Sequence, residues 1–168
     1  MSTYRTVESS IYADPKVKKL PSDGKFLFVY LLTNEMTDVT GLYHAPYVLI
    51  SSQMGITEKR IKELLDLLQE QGLVLHDDET EVVWVISMLN YQLHSSKVLK
   101  SALARIRSLH SPDLILWFLL HYETEIKDID SYEDMVAHYA DMHIQKYGYV
   151  PVPVPFPGTD SVPEDRNN

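Results

Sequence analysis

The apolar positions of the chain change their spacing along its length, and each change marks a predicted element. Pro21-Ser22-Asp23 leads into Gly24-Lys25-Phe26-Leu27-Phe28-Val29-Tyr30-Leu31-Leu32, a run apolar on nearly every side. That pattern predicts a helix at the centre of a core, with Ser22 or Asp23 able to cap it. Thr37 to Gly41 reads as a turn and Leu42-Tyr43 as a short extended piece. Pro46 suits the first turn of a second helix, Tyr47 to Met54, where a missing N–H costs little. Gly55 ends that helix and Thr57 caps the next. Ile61, Leu64, Leu65 and Leu68 then fall at the spacing of one buried helical face, and Gly72 follows where a left-handed residue is expected. Leu73-Val74-Leu75 and Val82-Val83-Trp84-Val85-Ile86 read as two strands around the polar loop Asp77-Asp78-Glu79-Thr80-Glu81.

Beyond the strands the helical spacing returns. A helix is predicted from Ser95-Ser96 to about Leu109, with Val98, Ala102, Ile106 and Leu109 gathered on its inner side and Lys97, Lys100 and Arg107 opposite. Arg105 falls at the margin of the basic side. Ser111-Pro112 starts another helix through Leu114, Ile115, Trp117, Phe118 and Leu119. Ser131 caps a last one, with Met135, Tyr139 and Met142 on one side and Gly148 ending it. Pro151, Pro153, Pro155, Pro157 and Pro163 cannot sustain a helix or a central strand, so 149–168 is expected to be an extended, disordered tail.

The element order is helix, short strand, helix, tight turn, helix, hairpin, which is the order of a winged helix-turn-helix. The expected fold class is therefore mainly α with a small β-hairpin (α+β), a winged helix-turn-helix followed by additional C-terminal helices. The expected organisation is a winged-helix domain over 1–93, a helical extension over 94–148 and the proline-rich tail over 149–168.

Three stretches carry the resemblance to a known family. They are Tyr4-Arg5-Thr6-Val7-Glu8-Ser9-Ser10-Ile11-Tyr12-Ala13-Asp14-Pro15-Lys16-Val17, Gly24 to Asn34, and Gly41-Leu42-Tyr43. Together with Val83-Trp84-Val85, Asn90-Tyr91 and Ser96-Lys97-Val98-Leu99-Lys100, they look like the opening of phage and prophage replisome-organizer (DnaD-like) replication proteins. The resemblance covers roughly 4–125. It implies a non-enzymatic replication initiation protein that binds DNA, duplex or single-stranded. It also implies self-association into a homo-oligomer and help in recruiting the replicative helicase or its loader. Longer family members carry a further domain after a linker, where this chain has its proline-rich segment.

Composition adds an electrostatic constraint. The chain holds 15 Lys and Arg against 24 Asp and Glu, a formal charge of −9, whereas a DNA-binding domain is ordinarily basic. Residues 94–110 alone contain four cations and no acid, between a stretch of net charge −5 and one of −6. Lys97, Lys100, Arg105 and Arg107 are thus the stronger phosphate candidates, joined by Lys16, Lys18 and Lys19. If three or four of them neutralise phosphates, log affinity should fall against log salt with a slope of about −3 to −4. Thr57, Lys59, Arg60 and Lys62 open the third helix, whose N-terminal end normally faces the major groove. The same cations could instead pair with Glu58, Glu63 and Asp66 along a solvated face. Four acids in the five-residue hairpin loop do not suit a wing lying along DNA; that loop is expected to face solvent or a protein. Tyr12, Tyr43 and Tyr47 could stack on bases but fit core packing better, and Trp84 and Trp117-Phe118 read as core or interface anchors.

No catalytic pattern emerges. The six glycines lie at predicted turns and form neither a dinucleotide fingerprint nor a P-loop, so neither an ATP-driven loader nor any cofactor is expected. His121 with Glu125 and Asp134 with His138 have i, i+4 spacing, read as surface hydrogen bonding rather than a metal site. There is no cysteine, no apolar run of membrane-spanning length and no signal-like start, which gives the expectation of a cytoplasmic protein without membrane contact, in the bacterial host cytoplasm if phage-encoded. Two other functions use the same elements: a winged-helix transcriptional regulator, and a protein–protein adaptor whose winged helix does not bind DNA.

Overall fold

A computed structural model describes residues 4–91 and 95–149. The expectation for a proline-rich tail lies, from residue 150 on, outside the described residues. The helices are α1 (Pro15–Lys18), α2 (Ser22–Thr33), α3 (Tyr47–Met54), α4 (Glu58–Glu70), α5 (Met88–Tyr91), α6 (Ser96–Ile106), α7 (Pro112–His121), α8 (Glu123–Ile126) and α9 (Tyr132–Tyr147). The strands are β1 (Leu42–His44), β2 (Val74–Asp77) and β3 (Val82–Val85). The fold is mainly helical with a small antiparallel sheet, as the apolar pattern predicts. The sheet is larger than a hairpin: β1 adds to it in the order β1-β3-β2, with Tyr43 opposite Val83 and Leu75 opposite Trp84.

The central strand explains the architecture. Val82, Val83, Trp84 and Val85 are all buried, and successive strand side chains point to opposite faces, so both faces of the sheet must be covered. Val83 and Val85, with Tyr43 and Val74, join the core of α2, α3 and α4. Val82 and Trp84, with Leu42 and Ile86, join a second core with α6 to α9. Trp84 is fully buried there, with Phe118, His121 and Tyr122 set edge-on at ring-centroid distances of 5.8, 5.4 and 6.3 Å. Edge-to-face aromatic pairs contribute about 0.5–1.5 kcal/mol each beyond the area they bury. Sheet and C-terminal helices are thereby joined, with Trp84 the largest side chain that β3 contributes to the second core.

Several helix details differ from the expected ones. Pro21, not Ser22 or Asp23, stands at the cap of α2; Ser22 begins the helix and Asp23 accepts a bond from the Gly24 N–H at 3.0 Å. Pro46 is the cap residue of α3, whose bounds are those expected. The buried face of α6 is Leu99, Ala102, Leu103 and Ile106, whereas Val98 is 39% exposed and Leu109 lies beyond the helix end. Leu99 and Leu103 join the second core, so the buried face is rotated from the expected one. On α9 the buried side is Tyr132, Met135, Tyr139 and His143, and Met142 lies outward.

Candidate nucleic-acid interface

The α3–turn–α4 unit is assembled by short-range chemistry. Gly55 adopts the left-handed conformation (φ 71°) that ends α3, and the Thr57 hydroxyl accepts the Arg60 N–H at 3.2 Å to start α4. Ser51 donates its hydroxyl to the Ile56 carbonyl, and the Tyr30 hydroxyl of α2 donates to the Gln53 side chain. The two helices and the turn are therefore fixed before any partner is considered.

The four candidates on this unit divide. Lys59 is exposed, and no ion pair joins it to a carboxylate among the described residues. Lys62 is exposed too, its ammonium 5.4 Å from the centre of the Tyr47 ring, within reach of a cation–π attraction. Arg60 is engaged: Nε meets Asp23 at 2.8 Å and Nη1 meets Glu63 at 3.0 Å, so the guanidinium braces α4 against α2. The Arg60 hydrogen bond holds the Asp23 carboxyl below its ordinary range. Of the two readings open for these cations, ion pairing holds for Arg60, while Lys59 and Lys62 project outward with Thr57.

On α6 the same division appears. Arg105 grips Asp38, in the turn before β1, through Nε at 2.9 Å and Nη2 at 2.6 Å, and also reaches the Ser101 hydroxyl. Lys100 meets Asp130 at 3.2 Å. Lys97 and Arg107 are exposed, with no ion pair to a carboxylate among the described residues, and Arg107 lies near enough to Tyr139 to influence it electrostatically. In α1, buried Val17 orients the turn and leaves Lys18 and Lys19 exposed and Lys16 half-buried. Because α4 packs on one face of the sheet and α6 on the other, the two basic groups do not form one continuous surface.

The acidic loop between β2 and β3 is largely spent inside the molecule. Asp77 accepts the Ser111 hydroxyl at 2.7 Å, Asp78 accepts the Tyr47 hydroxyl at 2.9 Å, and Glu81 accepts the Tyr47 N–H at 3.3 Å. The backbone N–H of Ala45 donates to the Glu81 carbonyl. His76 stands behind the loop, Nε2 at 3.0 Å from Asp66 and Nδ1 at 3.4 Å from Asp78. Glu79 remains exposed. The loop is thus bound to α3 and to the start of α7, more than the expectation of a free or partner-facing wing allowed.

Tyr43 and Tyr47 are core residues, 4% and 0% exposed, and Tyr43 donates to the Leu31 carbonyl at 2.7 Å. Tyr12 is 60% exposed. Sequence reasoning missed the acids that pin the cations: Asp23, Asp38 and Asp130 stand 37, 67 and 30 residues from their partners. No local spacing could have found them. Among the described residues no three His, Cys, Asp or Glu side chains cluster as metal ligands, and no helix is long and apolar enough to cross a membrane. No family model matches the chain, and neither a curated protein nor a solved structure matches it.

Proposed function

We propose that the chain is a non-enzymatic DNA-binding protein of the replisome-organizer kind, built on a winged helix-turn-helix. The observation that carries this reading is the α3–Gly55–α4 unit presenting Thr57, Lys59 and Lys62 outward, beside a sheet ordered β1-β3-β2. In a helix-turn-helix the N-terminal residues of the second helix meet the major groove. Lys59 and Lys62 supply positive charge at that end, with Lys97 and Arg107 as a separate phosphate contact on the opposite side. Self-association and contact with a replicative helicase or its loader belong to the same proposal, resting on the family resemblance.

A salt titration of binding to duplex and single-stranded DNA tests it. Two lysine contacts predict a log–log slope of about −2 on duplex DNA, and four cations about −3 to −4. Absence of binding to either form at low salt would leave a protein–protein adaptor. That second reading is favoured by the net charge of −9 and by a hairpin loop that offers no lysine or arginine to a phosphate.

A further inference from the structure

An open cleft of about 340 Å³ separates the β2–β3 hairpin from the start of α7 and the end of α9. Asp77 and Glu79 stand on the hairpin side, and Asp113, Trp117, Lys146 and Tyr147 on the other. Trp117 is only partly buried and lines the cleft with Leu75 and Leu114, with the His143 ring edge-on to it at 6.3 Å, whereas the other tryptophan, Trp84, is fully buried. An aromatic face bordered by carboxylates is the pairing that attracts a guanidinium or ammonium group and also covers its methylene stem.

The charge of the segments that supply the cleft is one-sided along the sequence. Between Lys62 and Lys97 the chain has no lysine or arginine but seven Asp or Glu. Between Arg107 and Lys127 there is again none, with Asp113, Glu123 and Glu125 in the interval. Lys146 and His76 are the basic side chains that line the cleft, and both are already committed, Lys146 3.1 Å from Asp113 and 4.8 Å from the Tyr147 ring centre, His76 between Asp66 and Asp78. Burial raises the Asp113 carboxyl, but hydrogen bonds from His143, Tyr147 and Lys146 outweigh it and hold the group below the ordinary range. Burial likewise opposes ionisation of Asp77, and the bonds from Ser111, Thr80 and Glu79 more than offset it. Both acids are therefore charged at neutral pH. The cleft is shaped by two cores that meet at the hairpin, so its walls are already ordered.

We propose that this cleft is a docking site for an arginine- or lysine-bearing segment of a partner protein, with the cationic head between Asp77, Glu79 and Asp113 and its stem on Trp117. The proposal is independent of whether α4 binds DNA, and a polyanion is the ligand such a cleft repels.

Trp117 supplies the readout. A short peptide of alternating arginine and glycine, titrated into the full chain at low salt, should change tryptophan emission, and the Trp117→Phe variant should lose the change. Glu79→Lys alters an exposed side chain, so melting temperature should hold while peptide affinity falls about tenfold. Glu133→Lys, an exposed acid at the far end of α9, should leave affinity within about twofold. Equal losses in the two charge variants would overturn the proposal in favour of a diffuse acidic surface. So would an emission that the peptide does not change, competition by duplex DNA at the cleft, or self-association of the parent abolished by Glu79→Lys, which would make a second copy the occupant.

Discussion

Helices α4 and α6 each carry three Lys or Arg side chains, and their designs are alike, although only α4 also carries acids. Each starts at a hydroxyl cap, Thr57 or Ser95, and each presses one apolar face toward the sheet. Each also loses part of its positive charge to acids elsewhere in the chain: Arg60 to Asp23, Arg105 to Asp38 and Lys100 to Asp130. What differs is the surroundings. Helix α4 follows the tight turn from α3 and keeps Lys59 and Lys62 at its leading end, whereas α6 belongs to the opposite layer, with Lys97 at its start and Arg107 just past its end. A basic stretch of sequence is thus not the same as a basic surface. Four cations without an acid over 94–110 become two engaged side chains and two outward ones. The weaker-looking cluster at 59–62 lies at the leading end of α4, where the proposed function needs it.

The comparison depends on the two layers sharing one sheet, and the largest predicted effect attacks that joint. Trp84→Ala removes the larger of the two buried side chains that β3 sends into the second core, and should cost about 3–5 kcal/mol. Urea unfolding followed by circular dichroism should keep a single transition at a much lower midpoint. A new, separate transition for one layer would mean that the layers fold independently and that the sheet does not couple them.

A pair of glycines sharpens the contrast at lower cost. Gly41 and Gly55 both have left-handed backbones, φ 73° and 71°. A Cβ on Gly41 would lie 2.5 Å from the Met88 Cβ and 2.6 Å from the Val85 carbonyl, whereas a Cβ on Gly55 meets nothing within 4 Å. Gly55→Ala should therefore cost only the conformational penalty of about 1–2 kcal/mol. Gly41→Ala should cost clearly more, since the turn that delivers β1 to β3 must move. Comparable urea midpoints for the two variants would contradict the close approach at Gly41.

A smaller effect comes from the buried tyrosines, one or more in each layer. Burial pushes the hydroxyls of Tyr43 and Tyr47 in one layer, and of Tyr122 in the other, well above the ordinary tyrosine range. The hydrogen bond to Asp78 adds to the rise at Tyr47. The folded state then holds these protons more tightly than the unfolded chain does. Their contribution is fully present below about pH 10 and is lost as pH rises above it. Stability measured between pH 8 and about pH 11 should fall steeply only in the upper half of that range, and Tyr47→Phe should flatten the fall.

Much of the first layer was legible because its signals are local. Gly55, Thr57 and the Ile61–Leu64–Leu65–Leu68 spacing lie within a few residues of the features they specify, and α3 has the expected bounds. The second layer was less so. Val98 satisfies helical spacing as well as Leu99 and Leu103 do, and only the folded second core decides which side chains are covered. The pairing of β1 was beyond reach for the same reason, since three residues carry no register of their own. Of the candidate interface, the identity of the cations could be read, but which of them remain outward could not. That outcome is set by Asp23, Asp38 and Asp130, distant in sequence and close only once the chain is folded.

The central claim is that the leading end of α4 meets DNA. Anisotropy titrations of labelled duplex DNA, run at several salt concentrations, should compare the parent with Lys59→Glu/Lys62→Glu and with Lys97→Glu/Lys100→Glu. The account predicts that the α4 pair loses most of its duplex affinity and that its salt slope shrinks by about 2, with the melting temperature kept. Unchanged affinity in the α4 pair would contradict it, most plainly if the α6 pair abolishes binding instead.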